Sequence, residues 1–148
     1  MTPVPVGKPR RDGLTYLTNR QKKVRIPRSR LAAFAKSIMR KEGLKGDLSV
    51  VFVGDREISE INRRFLRHKG PTDVISFPLN DPHDSLAGEV VISAETAKRE
   101  SAARGIPLRR ELALYLAHGI LHLCGHGDRA AAQARKMRRM EAYYMNMF

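Results

Sequence analysis

The sequence predicts an α+β fold in a single domain spanning residues 1–148. Three observations carry that prediction. Strand-like and helix-like segments follow one another in irregular order rather than in regular alternation. The length of 148 residues suits one compact core and is short for two. No internal repeat or low-complexity tract divides the chain.

Residues 1–13, rich in Pro, Gly and charge, form an expected loose leader, and their lack of an apolar run after the charges argues against a secretory signal. The stretch from Gly13 to Ile26 alternates apolar and polar residues patchily and predicts a strand or a bent strand pair. After Pro27, Leu31, Phe34, Ala35, Ile38 and Met39 recur at helical spacing, and Gly43 is placed to stop that helix. Asp47 to Asp55 is the clearest strand, β-branched in the middle and closed by Gly-Asp.

The following segment, from Arg56, predicts a helix with Ile58, Ile61, Phe65 and Leu66 on one face and Arg63, Arg64 and Arg67 off it. Pro71 to Pro78 and Gly88 to Ser93 read as short strands. Ser93 can cap a polar helix that Gly105 ends, and Pro107 opens a helix from about Leu108 to Leu123. The last helix is expected over Asp128–Phe148, with Met137, Met140, Tyr144 and Met147 stacked as core on one side.

Composition narrows function. Twenty-eight Lys and Arg against 15 Asp and Glu leave a formal charge of +13, which favours a polyanion such as RNA or DNA. The absence of Trp and the few aromatics argue against reading bases by stacking, so backbone phosphates are the expected contact. No run of about 18 apolar residues is present to span a bilayer. A single cysteine, Cys124, allows no internal disulfide and fits a cytoplasmic location.

The stretch AHGILHLCGHGDR, Ala117–Arg129, concentrates chemistry. Residues four apart on a helix lie side by side, so His118 and His122 can grip one divalent cation. Gly125 and Gly127 break the helix and let the chain turn back, which makes His126 and Asp128 the candidates for a third ligand. Three protein ligands with an open position is the pattern of a catalytic zinc site. Cys124 lies about 200° around the helix from His122 and is better read as packing. Zinc proteases of the HExxH type place their general base after the first histidine, and Gly119 stands there. A metal site without that base, on a strongly basic chain, points toward phosphodiesters.

On these residues the sequence resembles the YbeY endoribonucleases, the bacterial rRNA maturation factors. Their hallmark HGxLHLxGxDH is matched by His118, Gly119, Leu121, His122, Leu123 and Gly125. A second stretch, LNxxYRxxDxPTDVLSFP, is matched by Asn62, Pro71, Thr72, Asp73, Val74, Ser76, Phe77 and Pro78. Gly88, Glu89 and Val90 stand for the family's GDI, and Glu111 sits where the family commonly has a glutamate. The resemblance runs from about Val24 to the last helix.

It implies a small mixed β-sheet packed with helices, with a metzincin-like metal site on a C-terminal helix. It further implies a zinc-dependent endoribonuclease, one Zn2+ per chain, that prefers single strands. Its implied partners are ribosomal RNA and the small ribosomal subunit, with other ribosome-associated proteins possible. Its implied tasks are maturing the 3′ end of the small-subunit RNA and ribosome quality control.

The chain departs from the family's pattern at several places. Asp128 stands where the family ends its motif with histidine, and His126 where it has tyrosine. Carboxylate is an acceptable zinc ligand, so the expected set is His118, His122 and Asp128, which would activate a water, with His126 beside them. Leu66 replaces the family's arginine and Lys69 its following aspartate, leaving Arg63, Arg64 and Arg67 as the expected RNA-binding cations. Asp73 and Glu89 are candidates to orient the imidazoles or a water, with Asp73 equally able to cap its own turn. The alternative function is an RNA-binding ribosome-assembly factor whose zinc is structural and which cleaves little or not at all.

Overall fold

Parity along the strands and spacing along the helices build two cores, one on each side of a four-stranded sheet. The computed structural model describes residues 13–66, 72–79 and 86–148. Arg67 and, apart from Gly13, the expected leader lie outside the described residues. In chain order the elements are β1 (Thr15–Asn19), α1 (Arg28–Glu42), β2 (Asp47–Val53), α2 (Asp55–Ile61), a π-helical turn (Asn62–Leu66), β3 (Val74–Pro78), β4 (Leu86–Ser93), α3 (Ala94–Arg104), α4 (Leu108–Leu123) and α5 (Ala131–Met145).

The strands run in the order β1-β2-β4-β3, with β1–β2 and β2–β4 parallel and β3–β4 antiparallel. This is the mixed α+β architecture the sequence predicts. Among the described residues, no helix is long and apolar enough to cross a membrane.

Because successive strand residues face opposite sides, Leu48, Val50 and Phe52 of β2 join Val90 and Ile92 of β4 on one face. There they meet Leu31, Phe34 and Ile38 of α1 and Leu112, Leu116 and Ile120 of α4. Each fully buried Leu or Ile contributes about 1.5–3 kcal/mol relative to exposure, so this face dominates the fold. On the opposite face Ile58 of α2 covers Val53, Ile75 and Val91.

Helix α4 approaches the sheet closely at Gly119. A Cβ there would sit 2.6 Å from Val90 Cγ1 and 3.2 Å from both Ser76 Oγ and Val74 Cγ2. The Ser76 hydroxyl donates to the Gly119 carbonyl at 2.8 Å, tying β3 to the turn of α4 that carries the histidines. Glycine at 119 is therefore a packing requirement: a glutamate in that place would have to push into β3 and β4.

One expectation resolves to the first of its two alternatives, a single strand, and two need correction. Only Thr15–Asn19 of the 13–26 stretch forms a strand, because the Gln21 side chain closes a loop on both backbone groups of Val24 (Gln21 Nε2 to Val24 O 2.8 Å, Val24 N to Gln21 Oε1 2.9 Å). Those groups are then unavailable to a second ladder. The helix after Arg56 does not keep Phe65 and Leu66 on the Ile58 face. In the π turn they are 62% and 42% exposed, Phe65 resting edge-on against Phe77 and Leu66 lining the cleft beside the histidines. The last helix begins at Ala131 rather than at Asp128 and ends at Met145, so Met137 and Tyr144 are buried while Met147, beyond the end, is 44% exposed.

Candidate metal centre

The site grows from the C-terminal end of α4. One helical turn brings His118 and His122 together, with their Nε2 atoms 3.0 Å apart and the rings edge to face. The helix then stops in a Schellman motif. Gly125 adopts φ 93°, its N–H donates to His122 O at 3.0 Å, and His126 N–H donates to Leu121 O at 3.1 Å. A side chain at position 125 would be strained in that left-handed conformation, which is why glycine serves.

The reversal delivers Asp128. Its Oδ2 lies 3.5 Å from His118 Nε2 and 3.3 Å from His122 Nε2. His118, His122 and Asp128 are a group that can hold a metal ion, their ligand atoms all within 4.8 Å of one another. The geometry fits a small divalent cation. Bonds of about 2.0–2.2 Å at tetrahedral angles place ligand atoms about 3.3–3.6 Å apart, close to the three separations of 3.0, 3.3 and 3.5 Å seen here. The donor set of two imidazole nitrogens and one carboxylate oxygen is also among those zinc accepts.

Glu141 of α5 completes the arrangement from behind. Its Oε1 lies 2.6 Å from His118 Nδ1. A carboxylate there keeps the proton on Nδ1 and leaves Nε2 with its lone pair toward the cluster, as outer-shell carboxylates do for metal-binding histidines. Burial works against the charged ring, but the hydrogen bond from Glu141 and the charges of Glu141, Asp128 and Asp73 outweigh it, so His118 titrates above the usual imidazole range. Sequence reasoning missed Glu141. Its signal was that it is the only acidic residue on a helix carrying Arg135, Lys136, Arg138 and Arg139.

His126 turns away from the cluster. Its Nε2 lies 3.0 Å from Glu42 Oε1 at the end of α1, and the other oxygen of Glu42 accepts the buried Tyr144 hydroxyl. Cys124 is half-buried against the main core, and burial pushes its thiol up to about 11, as packing rather than ligation requires.

The cluster opens into a cleft of about 570 Å³ whose lining includes Leu66, Asp73, Ser76, Arg129 and Gln133. Asp73 reaches the cleft, but its Oδ1 accepts from Val74 N at 2.8 Å and Thr72 Oγ1 at 3.4 Å, which closes the turn into β3. Glu89 cannot orient the imidazoles. It pairs with Phe77 across the β3–β4 ladder on the parity of Val91, so it belongs to the α2 side of the sheet, away from α4.

Arg63 and Arg64 line a separate cleft of about 330 Å³ with Arg20, Glu57 and Glu60. The structure therefore does not bring them to the histidines, while Arg129, which the sequence did not single out, lies beside them. Glu111 is fully buried and bonded to Arg104 at 3.2 Å through one oxygen. Its other oxygen has no partner among the described residues, and burial raises its carboxyl above the usual range.

Comparison with known proteins agrees with this architecture. The chain is 37% identical over 142 residues to the endoribonuclease YbeY of Syntrophotalea carbinolica, covering 92% of this chain and 94% of that protein. It is 36% identical to that of Carboxydothermus hydrogenoformans, over 86% of this chain and 92% of the relative. Against the Anaeromyxobacter sp. relative the identity is 42% over 78% of this chain, which spans 59% of that longer protein. A Thermotoga maritima protein of known solution structure shares the fold, with a TM-score of 0.65 over 90% of this chain and 87% of that one at 24% identity. The family model for endoribonuclease YbeY matches residues 16–148, from the first strand through the helix that carries Glu141, and the chain belongs to that family.

Proposed function

We propose that the protein is a zinc-dependent endoribonuclease that cuts single-stranded RNA. Its cellular task on this reading is maturation of the 3′ end of the small-subunit ribosomal RNA, with a part in ribosome quality control, in the cytoplasm. The observation that carries the chemistry is the convergence of His118 Nε2, His122 Nε2 and Asp128 Oδ2 on one point at the wall of an open cleft. When bound, zinc supplies a water whose pKa falls to about 7 and a Lewis acid for a phosphoryl oxygen.

The chain's own residues do the rest. His118, His122 and Asp128 would hold the ion, leaving a position open toward the cleft. Glu141 holds the Nδ1 proton of His118 and fixes that ring. Ser76 fixes the turn of α4 beneath the site. Arg63 and Arg64, with Arg67 following in the chain, would hold phosphates of the strand outside the cleft, as contacts that position RNA without reading its sequence. A peptidase mechanism is disfavoured because Gly119 faces Val90 and Ser76 and leaves no room for the customary glutamate.

The test is to incubate zinc-loaded protein with a single-stranded RNA oligonucleotide, with and without chelator, beside the His118→Ala variant. Zinc-dependent cutting that His118→Ala abolishes is expected. Cutting that survives in His118→Ala refutes this site as the catalyst. Absence of cutting by zinc-loaded wild type refutes the nuclease and leaves an RNA-binding assembly factor.

A further inference from the structure

Among the described residues that line the metal cleft, two carboxylates, Asp73 and Asp128, face a single cation, Arg129. Other arginines near carboxylates are paired: Arg20 with Glu57, Arg99 with Asp55, Arg104 with Glu111 and Glu100. Arg129 makes no hydrogen bond or ion pair with any described residue, although Asp128 is its immediate neighbour, because Asp128 aims Oδ2 at the two imidazoles.

The backbone of Arg129 is held on both sides. Before it the chain is pinned by the Schellman turn, and after it Ala130 precedes α5 as its N-cap, its N–H donating to Gln133 Oε1 at 3.3 Å. The short segment between these two anchors places Arg129 in the lining of the cleft. The first turn of α5 adds to the positive potential there: it contains no acidic residue, and Ala130 offers no side-chain acceptor to its N–H groups.

We propose that Arg129 is the phosphate-holding residue of the metal cleft. Its guanidinium grips a backbone phosphate of the single-stranded RNA lying across His118, His122 and Asp128. Guanidinium is suited to this because its planar donors take two phosphate oxygens at once. The proposal rests on the reading that the cleft accepts an RNA strand, and it assigns that contact to a residue in the cleft rather than to Arg63 or Arg64 outside it.

The test separates binding from cutting. Affinity for a single-stranded RNA oligonucleotide is measured as a function of salt, in zinc-free protein that cannot cut, for wild type, Arg129→Ala and Arg129→Lys. Zinc content and cleavage are measured in parallel on the loaded proteins. Arg129→Ala is expected to weaken binding about tenfold and to flatten the slope of log affinity against log salt by about 0.7, the value of one phosphate contact on a single strand. Arg129→Lys keeps the slope and recovers part of the affinity, and zinc content is unchanged in both.

An unchanged affinity and slope in Arg129→Ala overturns the proposal, and so does a loss of zinc, which would make Arg129 a support of the ligand loop. If wild type binds with the Arg129-dependent slope but never cuts, the nuclease reading fails and the phosphate contact stands. If it cuts and the slope does not move, the reverse holds.

Discussion

His118 and His126 stand eight residues apart and each meets a carboxylate, yet the carboxylate does opposite things in the two places. Glu141 binds Nδ1 of His118 and leaves the other nitrogen facing His122 Nε2 and Asp128 Oδ2, three atoms each able to donate a lone pair to one cation. Glu42 binds His126 and spends its second oxygen on the Tyr144 hydroxyl, so that cluster is closed. Such atoms converging in a partly buried site are stabilised by a proton shared among them or by a metal cation. A histidine–carboxylate pair thus marks a metal ligand only where the ring's other nitrogen faces further donors, and marks a structural anchor where the network ends.

The largest effect should come from exchanging the two candidates for third ligand. Asp128→Ala removes one of the three candidate ligand atoms and should lower zinc affinity by more than the about 10–100-fold that losing a carboxylate behind a ligand costs. His126→Ala should leave affinity within about twofold. Competition against a chromogenic chelator measures both, and the opposite ranking would transfer the ligand role to His126.

Glu141→Gln should come next. The amide is nearly the same size but cannot hold the Nδ1 proton as a carboxylate does, so zinc affinity should fall about 10–100-fold while thermal stability of the zinc-free protein changes little. A variant that binds zinc like wild type would reduce Glu141 to a packing contact between α4 and α5.

What was legible in the sequence was what depends on neighbours in the chain. Helical spacing placed His118 beside His122, β-branched runs marked β2 and β4, and the paired glycines marked the reversal that brings Asp128 back. Contacts across the fold were not legible. Glu141 lies 23 residues beyond His118 and meets it only because α5 packs on α4. The side of the sheet that Glu89 takes depends on strand parity, which a one-residue change in where β4 starts would invert. Phe65 and Leu66 follow helical spacing on paper, but a π turn is a response to packing that periodicity does not announce. Arg129 reads as one of many basic residues in the sequence, and only the fold shows its place in the cleft, without a partner among the described residues.

The smallest effect probes the closed cluster. Tyr144→Phe removes a buried hydroxyl and leaves one oxygen of Glu42 without that donor, while the other keeps His126 as a partner. The loss should be about 1 kcal/mol, the net value of one hydrogen bond. Glu42→Ala should cost more, about 2–3 kcal/mol, because it strands the Tyr144 hydroxyl and frees His126 together. Urea unfolding of the zinc-free variants, with unchanged slopes, reads both. Since this network ends at α1, zinc affinity should stay at the wild-type value in each. If Tyr144→Phe instead weakens zinc as Glu141→Gln is expected to, the hydroxyl, Glu42 and His126 are setting the position of Asp128 through the short segment between them, and the two histidine environments form one site.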